Sequence, residues 1–173
     1  MTPLDDGRAV SEQLGETLRS GDATIAAAES CTGGLVGSLL TDVAGSSDYF
    51  DRSLVTYSYD AKRAQLAVSR EALDDHGAVS EPVAREMAQG VRDVADTTWG
   101  VATTGIAGPT GGTPEKPVGT VYVGVAYAGE WGSGESFSTV ERHQFDGSRT
   151  EIKAKIARQA LEDVMEAVDE RRK

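Results

Sequence analysis

Cysteine occurs once, as Cys31, and histidine twice, as His76 and His143. A lone cysteine makes no internal disulfide and supplies no cysteine-based metal cluster, and two histidines far apart in sequence make a histidine-rich metal site improbable. A reducing cytoplasm fits this usage better than secretion. Long apolar runs are missing too: no window approaches the about 20 apolar residues of a membrane-spanning helix. The N-terminal segment also lacks a basic start followed by an apolar stretch. A soluble, unexported protein with no membrane partner is expected. Positive charge is scarce, with 17 Lys and Arg against 28 Asp and Glu and a formal net charge of −11. Such a surface repels a phosphate-rich polymer, and no basic run is interleaved with aromatics, so nucleic acid is disfavoured as a partner. Lysine is confined to Lys62, Lys116, Lys153, Lys155 and Lys173. Dispersed acids with so few lysines fit a salt-adapted cytoplasm or ordinary solubility.

What remains is a normal globular balance: 173 residues, 39% hydrophobic and 26% charged, enough for one packed domain. Residues 1–9 read as a polar N-terminal tail. Val10, Leu14 and Leu18 then mark an amphipathic helix, and Thr24 to Ala28 a short strand. A helix near Leu35 to Thr41 follows, then a strand over Ser53 to Tyr57 and helical spacing over Asp60 to Leu66. Ser69 caps a brief helix. Ser80 at an N-cap, Pro82 in a first turn, and Val83, Met87 and Val91 on one face predict a further helix ending near Asp96. Trp99 to Thr103 is a strand. Val121, Val123 and Val125 alternate in the next, and Phe137, Thr139, Glu141, His143 and Phe145 in another, with a hairpin across Gly129 to Gly134. Ser148 and Glu151 form a capping box ahead of Ile152, Ile156, Ala160, Val164 and Val168. Residues 169–173 are expected to fray. Strands separated by helices, then a hairpin and a helix, predict one α/β layered domain with a mixed sheet.

Three segments carry chemistry. The first is Ala28-Glu29-Ser30-Cys31-Thr32-Gly33-Gly34, a strand end running into a glycine-opened helix. That position faces the ligand crevice of an open α/β sheet, where Ser30 is exposed to a substrate and helix-terminal amides are available for an oxyanion. A plain capped turn explains the same residues equally well. Cys31 reads as a small buried thiol rather than a nucleophile. The second segment is Thr56-Tyr57-Ser58-Tyr59-Asp60-Ala61-Lys62-Arg63. A serine needs a base, and with no suitable histidine the available groups are Tyr57 and Lys62, although a helical lysine is more often simply solvated. The third is the glycine-proline stretch Thr104 to Gly119, whose consecutive amides suit an anion and whose Lys116 brings positive charge. It lacks the spacing of a nucleoside-triphosphate phosphate loop.

Taken together and in this order, these three segments resemble the CinA C-terminal domain family over roughly residues 10 to 168, the expected domain. The matching stretches are Ala28 to Gly34, Thr56-Tyr57-Ser58 through Ala61-Lys62, Thr104 to Pro109 and Gly112 to Thr120. The resemblance implies a three-layer α/β/α fold. It also implies hydrolysis of nicotinamide mononucleotide to nicotinate mononucleotide and ammonia, with no metal and no organic cofactor. Ser30 becomes the nucleophile, and Tyr57 and Lys62 the candidates for moving its proton. Thr32, Gly33, Gly34, Thr104 and Gly105 would border the substrate. Ala107, Gly108, Gly111, Gly112 and Lys116 of the loop, with Arg149, would meet the ribose phosphate. Thr110 stands where many relatives have glycine, so a side chain there would restrict the backbone or narrow the loop. The chain lacks the additional N-terminal domain of longer relatives, and a stand-alone form is expected. The expected partner is a small nucleotide, with a homo-oligomer left open. A catalytically silent nucleotide-binding or competence-associated module is the alternative, and an amidase for another small amide is a weaker one.

Overall fold

Ile25, Ala26, Ala27 and Ala28 of strand β1 (Ile25–Glu29) are all fully buried, so both faces of this strand are covered. The computed structural model describes residues 3–173, with side chains from residue 7 onward. Strand β2 is Phe50–Val55, β3 Trp99–Gly105, β4 Thr120–Tyr127 and β5 Phe137–Gln144. They form one sheet in the order β2-β1-β3-β4-β5. The first three strands are parallel, while β4 and β5 join antiparallel as the expected hairpin.

On one face lie α1 (Pro3–Ser20), α2 (Leu35–Thr41) and α6 (Arg149–Arg171), whose Leu14, Leu18, Leu39, Ile156 and Val164 pack with Ile25, Val101 and Val123. On the other lie α3 (Tyr59–Leu66), α4 (Arg70–His76) and α5 (Glu81–Ala95), whose Leu66, Leu73, Met87 and Val91 pack on Ala26, Ala28, Ala102 and Ala126. The domain is therefore a three-layer α/β/α structure with a mixed sheet. The α5 side of the sheet is paved with small residues because the helix lies almost on the strands. A β-carbon at Gly100 would stand 2.3 Å from the Ala88 carbonyl oxygen, and one at Gly124 2.4 Å from that of Ala84. None of the described helices is long and apolar enough to cross a membrane.

Both ends of the chain differ from the sequence reading. Helix α1 starts at Pro3, inside the expected polar tail, of which residues 1 and 2 lie outside the described residues. Proline fits a first helical turn, and Gly7 meets Leu39 of α2 so closely that a β-carbon there would be 3.0 Å away. A contact made through glycine leaves no apolar period to detect. At the other end α6 remains helical to Arg171 where fraying was expected. Arg171 lies over the Tyr127 ring at 4.1 Å, and Arg172 donates to the Thr17 carbonyl at 3.0 Å.

Chain direction places the functional crevice. From β1 the chain proceeds to β2 on one side, and β3 then pairs on the other, so the carboxyl ends of β1 and β3 flank the point where strand order reverses. Ligands of open α/β sheets bind there. The close approach of α5 is directly testable: Gly124→Ala is expected to lower stability by about 1–3 kcal/mol in urea denaturation, because the obstructing atom is backbone and no rotamer relieves it. An unchanged midpoint would show that the helix has room to retreat.

Candidate active site

Three strand ends converge on one lysine amine. The Ser30 amide donates to the Thr103 carbonyl at 3.1 Å and the Thr56 amide to that of Glu29 at 2.8 Å, which holds the ends of β3, β1 and β2 in register. Lys62 enters from α3, a helix started by Ser58, whose side chain accepts from the Ala61 amide. Lys62 is fully buried. Its Nζ donates to Ser30 Oγ at 2.9 Å, to the Thr56 carbonyl at 2.8 Å and to the Tyr57 carbonyl at 3.0 Å. Burial brings this amine from the ordinary lysine value of 10.5 down to about 8, with Cys31 acting weakly in the opposite direction. On losing its third proton the amine keeps its two bonds to carbonyls and turns a lone pair toward Ser30 Oγ. That arrangement can withdraw a proton from the hydroxyl.

The neighbouring thiol is held silent. Burial pushes Cys31 up to about 12 against an opposing backbone hydrogen bond, with the Glu29 carboxylate adding to the rise and Lys62 and Lys153 drawing it down. A thiol in that state is protonated at neutral pH and a poor nucleophile.

Glu29, fully buried, is the residue whose importance the sequence did not reveal. One carboxylate oxygen accepts from Thr32 Oγ1 at 2.6 Å, from the Gly34 amide at 3.1 Å and from the Val36 amide at 2.9 Å. The other accepts from the Gly37 amide at 3.0 Å and from Ser53 Oγ at 2.5 Å. The α2 amides expected to face an oxyanion are thus consumed inside the fold. Thr32 is likewise internal, bonded to Glu29 and at 2.8 Å to Thr103. Gly33 and Gly34, at φ of 59° and 109°, shape the turn and do not line the pocket.

A pocket of about 300 Å³ opens beside the serine. Ser30, Cys31, Tyr57 and Lys62 form one end; Thr104, Gly105, Ala107 and Gly108 continue it; Gly111 and Arg149 close it. Arg149 donates to the Gly108 carbonyl at 2.6 Å and so ties α6 to the loop. Thr110 lines the pocket as well and is not among the positive-φ residues, so the threonine is accommodated without backbone strain. Gly112 and Lys116 fall outside the lining. Lys116 donates to the His76 carbonyl at 3.1 Å, away from the lining residues. Tyr57 offers its carbonyl to Lys62, while the residue is 65% exposed at the rim. Ala78 and Val79 also line the pocket, held by Thr104 Oγ1 donating to the Ala78 carbonyl at 2.7 Å. Small apolar residues in a turn give no chemical signal by which sequence could single them out.

An α/β domain with a buried lysine against a strand-end serine at the switch point defines a class of hydrolase-like site. Residues 7–168 match the model of the CinA C-terminal domain, and the chain belongs to that family. It is 56% identical over 150 residues to a CinA-like protein of Salinibacter ruber, covering 87% of this chain and 35% of that protein. The chain thus spans about a third of the length of this relative. It is 46% identical over 153 residues to the nicotinamide-nucleotide amidohydrolase PncC of Escherichia coli K12, covering 88% and 89% of the two chains. Among solved structures, the competence/damage inducible protein CihA of Agrobacterium tumefaciens superposes with a TM-score of 0.87 at 38% identity, over 95% of this chain and 96% of that one.

The depressed lysine has a consequence for stability. Between about pH 8 and 10.5 the unfolded chain holds the Lys62 proton and the folded chain does not, so the Lys62 contribution to stability rises with pH across that window, by up to about 1.4 kcal/mol per pH unit. Below pH 8 it is constant at its least favourable value. The difference in unfolding free energy between wild type and Lys62→Met should therefore grow as pH rises from 8 to 10. A flat difference would mean that Lys62 stays protonated throughout.

Proposed function

We propose that the protein hydrolyses the carboxamide of nicotinamide mononucleotide, with Ser30 as nucleophile and Lys62 as the group that moves protons. The carrying observation is the 2.9 Å contact between Lys62 Nζ and Ser30 Oγ in a buried setting. The identity to an enzyme named for nicotinamide-nucleotide amidohydrolysis, across nearly the whole of both chains, supports the substrate.

Neutral Lys62 takes the Ser30 proton as Oγ bonds to the carboxamide carbon. The tetrahedral adduct then collapses, the carbon–nitrogen bond breaks, and the proton on Lys62 passes to the departing amide nitrogen, which leaves as ammonia. Water next attacks the acyl-serine ester. Lys62 receives its proton and returns one to Oγ, and nicotinate mononucleotide departs. Tyr57 contributes its carbonyl to the lysine rather than its hydroxyl to the proton path. At the far end, Arg149 and the Gly108 to Gly111 segment receive the ribose phosphate.

Incubation with nicotinamide mononucleotide should release ammonia and nicotinate mononucleotide in equal amounts. Ser30→Ala and Lys62→Met should each lower kcat by about a thousandfold or more while the fold persists. His76→Ala, His143→Ala and Cys31→Ala should stay near wild type. Because the neutral amine is the active form, kcat/KM should rise with pH and level off above about 8, following Lys62. Tyr57→Phe should leave that limb where it is. Tight binding of the mononucleotide without ammonia release would identify a silent binding module instead. Undiminished turnover by folded Ser30→Ala would remove the serine from the mechanism.

A further inference from the structure

The acidic chain carries few lysines, and two of them, both outside the pocket lining, are used differently. Lys116 is occupied by the His76 carbonyl. Lys153 is half-buried, and its Nζ stands 3.7 Å from the point that a β-carbon on Gly33 would occupy, above the turn that follows Ser30. Its charge is felt at the Cys31 thiol, the residue next to Ser30. Helix α6 carries it there: Lys153 lies one turn beyond Arg149 on the same helix face, and Ile152 and Ile156 anchor those turns in the core.

None of the described residues neutralises it. Elsewhere helical arginines find a carboxylate one turn away, as in Arg8 with Glu12, Arg85 with Glu81 and Arg158 with Glu162. The residues three and four positions from Lys153 are Thr150, Arg149, Ile156 and Ala157, none of them acidic. Among the described residues it has no ion pair or hydrogen-bond partner. Two cations one helical turn apart repel, a small cost to the helix in a molecule with a formal charge of −11 and carboxylates to spare. The repulsion is relieved when a dianion sits between them.

We propose that Lys153 is a substrate-binding residue that sets specificity, forming with Arg149 a two-cation seat on α6 for the phosphate monoester of the substrate. This inference rests on the functional reading above for the identity of the substrate, but not for the anion site itself. Lys153 supplies from α6 the positive charge that the sequence pattern suggests for Lys116 of the loop. It acts in binding and leaves proton transfer to Lys62, so its loss falls on KM and not on kcat.

The test compares Lys153→Met, Lys153→Arg and Lys155→Met. Lys155 donates to the Asp146 carbonyl at 2.6 Å, so its variant removes the same charge from the same helix away from the pocket. For nicotinamide mononucleotide, Lys153→Met should raise KM by about five- to twentyfold, the lower range for a charge-assisted contact with a partly exposed group. Its kcat should be unchanged, Lys153→Arg should recover most of the loss, and Lys155→Met should match wild type. Nicotinamide riboside, which has no phosphate, should show no difference among the variants. Binding of inorganic phosphate, followed by calorimetry, should weaken in Lys153→Met and not in Lys155→Met. If the wild type releases no ammonia from the mononucleotide, the functional reading falls and the phosphate titration still decides this one. Equal phosphate binding and equal KM in the two methionine variants would overturn it.

Discussion

A lysine amine sealed from solvent has two stable conditions, charged with strong compensation or neutral, and the site is organised around the second. Lys62 meets two carbonyls and a hydroxyl but no carboxylate. Two carbonyls satisfy the two protons of a neutral amine, and the remaining direction is taken by Ser30 Oγ. The carboxylate that would have favoured the charged form is present one residue from Ser30, as Glu29, yet it is turned into the α2 turn and saturated with other donors. Buried charge without a partner is costly, so separating Glu29 from Lys62 is what holds the lysine near its ionisation threshold.

The architecture follows from that separation. Along β1 the side chains alternate between faces, and the odd-numbered positions reach the α1, α2 and α6 layer. Glu29 continues this alternation toward α2, where orphan amides at the start of a helix need an acceptor. Lys62 arrives from α3 in the opposite layer, and the two meet only through the backbone of the strand ends. The sheet thus keeps an anion for structure on one face and an amine for chemistry at the other, with Ser30 at the edge between them. Arg149 and Lys153 then add, from α6, the positive charge that the protein as a whole lacks.

Local signals were readable from sequence wherever one residue answers another nearby. Ser148 and Glu151 form their capping box and Ser69 caps α4, while Ser80, at the N-cap position of α5, donates its hydroxyl to the Gly77 carbonyl instead of capping. The valine alternation of β4 and the turn residues after Tyr127 gave the hairpin. Strand β2 ends at Val55, two residues short of the expected Tyr57. The carbonyls of Thr56 and Tyr57 serve Lys62, a demand that no local pattern announces. Lys62 itself looked like an ordinary helical lysine because its burial is a tertiary fact. Glu29 looked like part of a turn because its partners are mostly backbone amides. The loop drew attention to Lys116 through glycine and proline, whereas Lys153 stood in a helix read only for its core face. Its spacing of four from Arg149, with no acid at three or four, was the available signal.

Inside the folded protein Lys62 gives up its proton near pH 8, well below the ordinary lysine value. With only five lysines in the chain, nuclear magnetic resonance of lysine labelled at the ε-carbon follows each one through a pH titration. A signal titrating near pH 8, present in the wild type and absent from Lys62→Met, is the expected result. A Lys62 signal that titrates at the ordinary lysine value near 10.5 would contradict it.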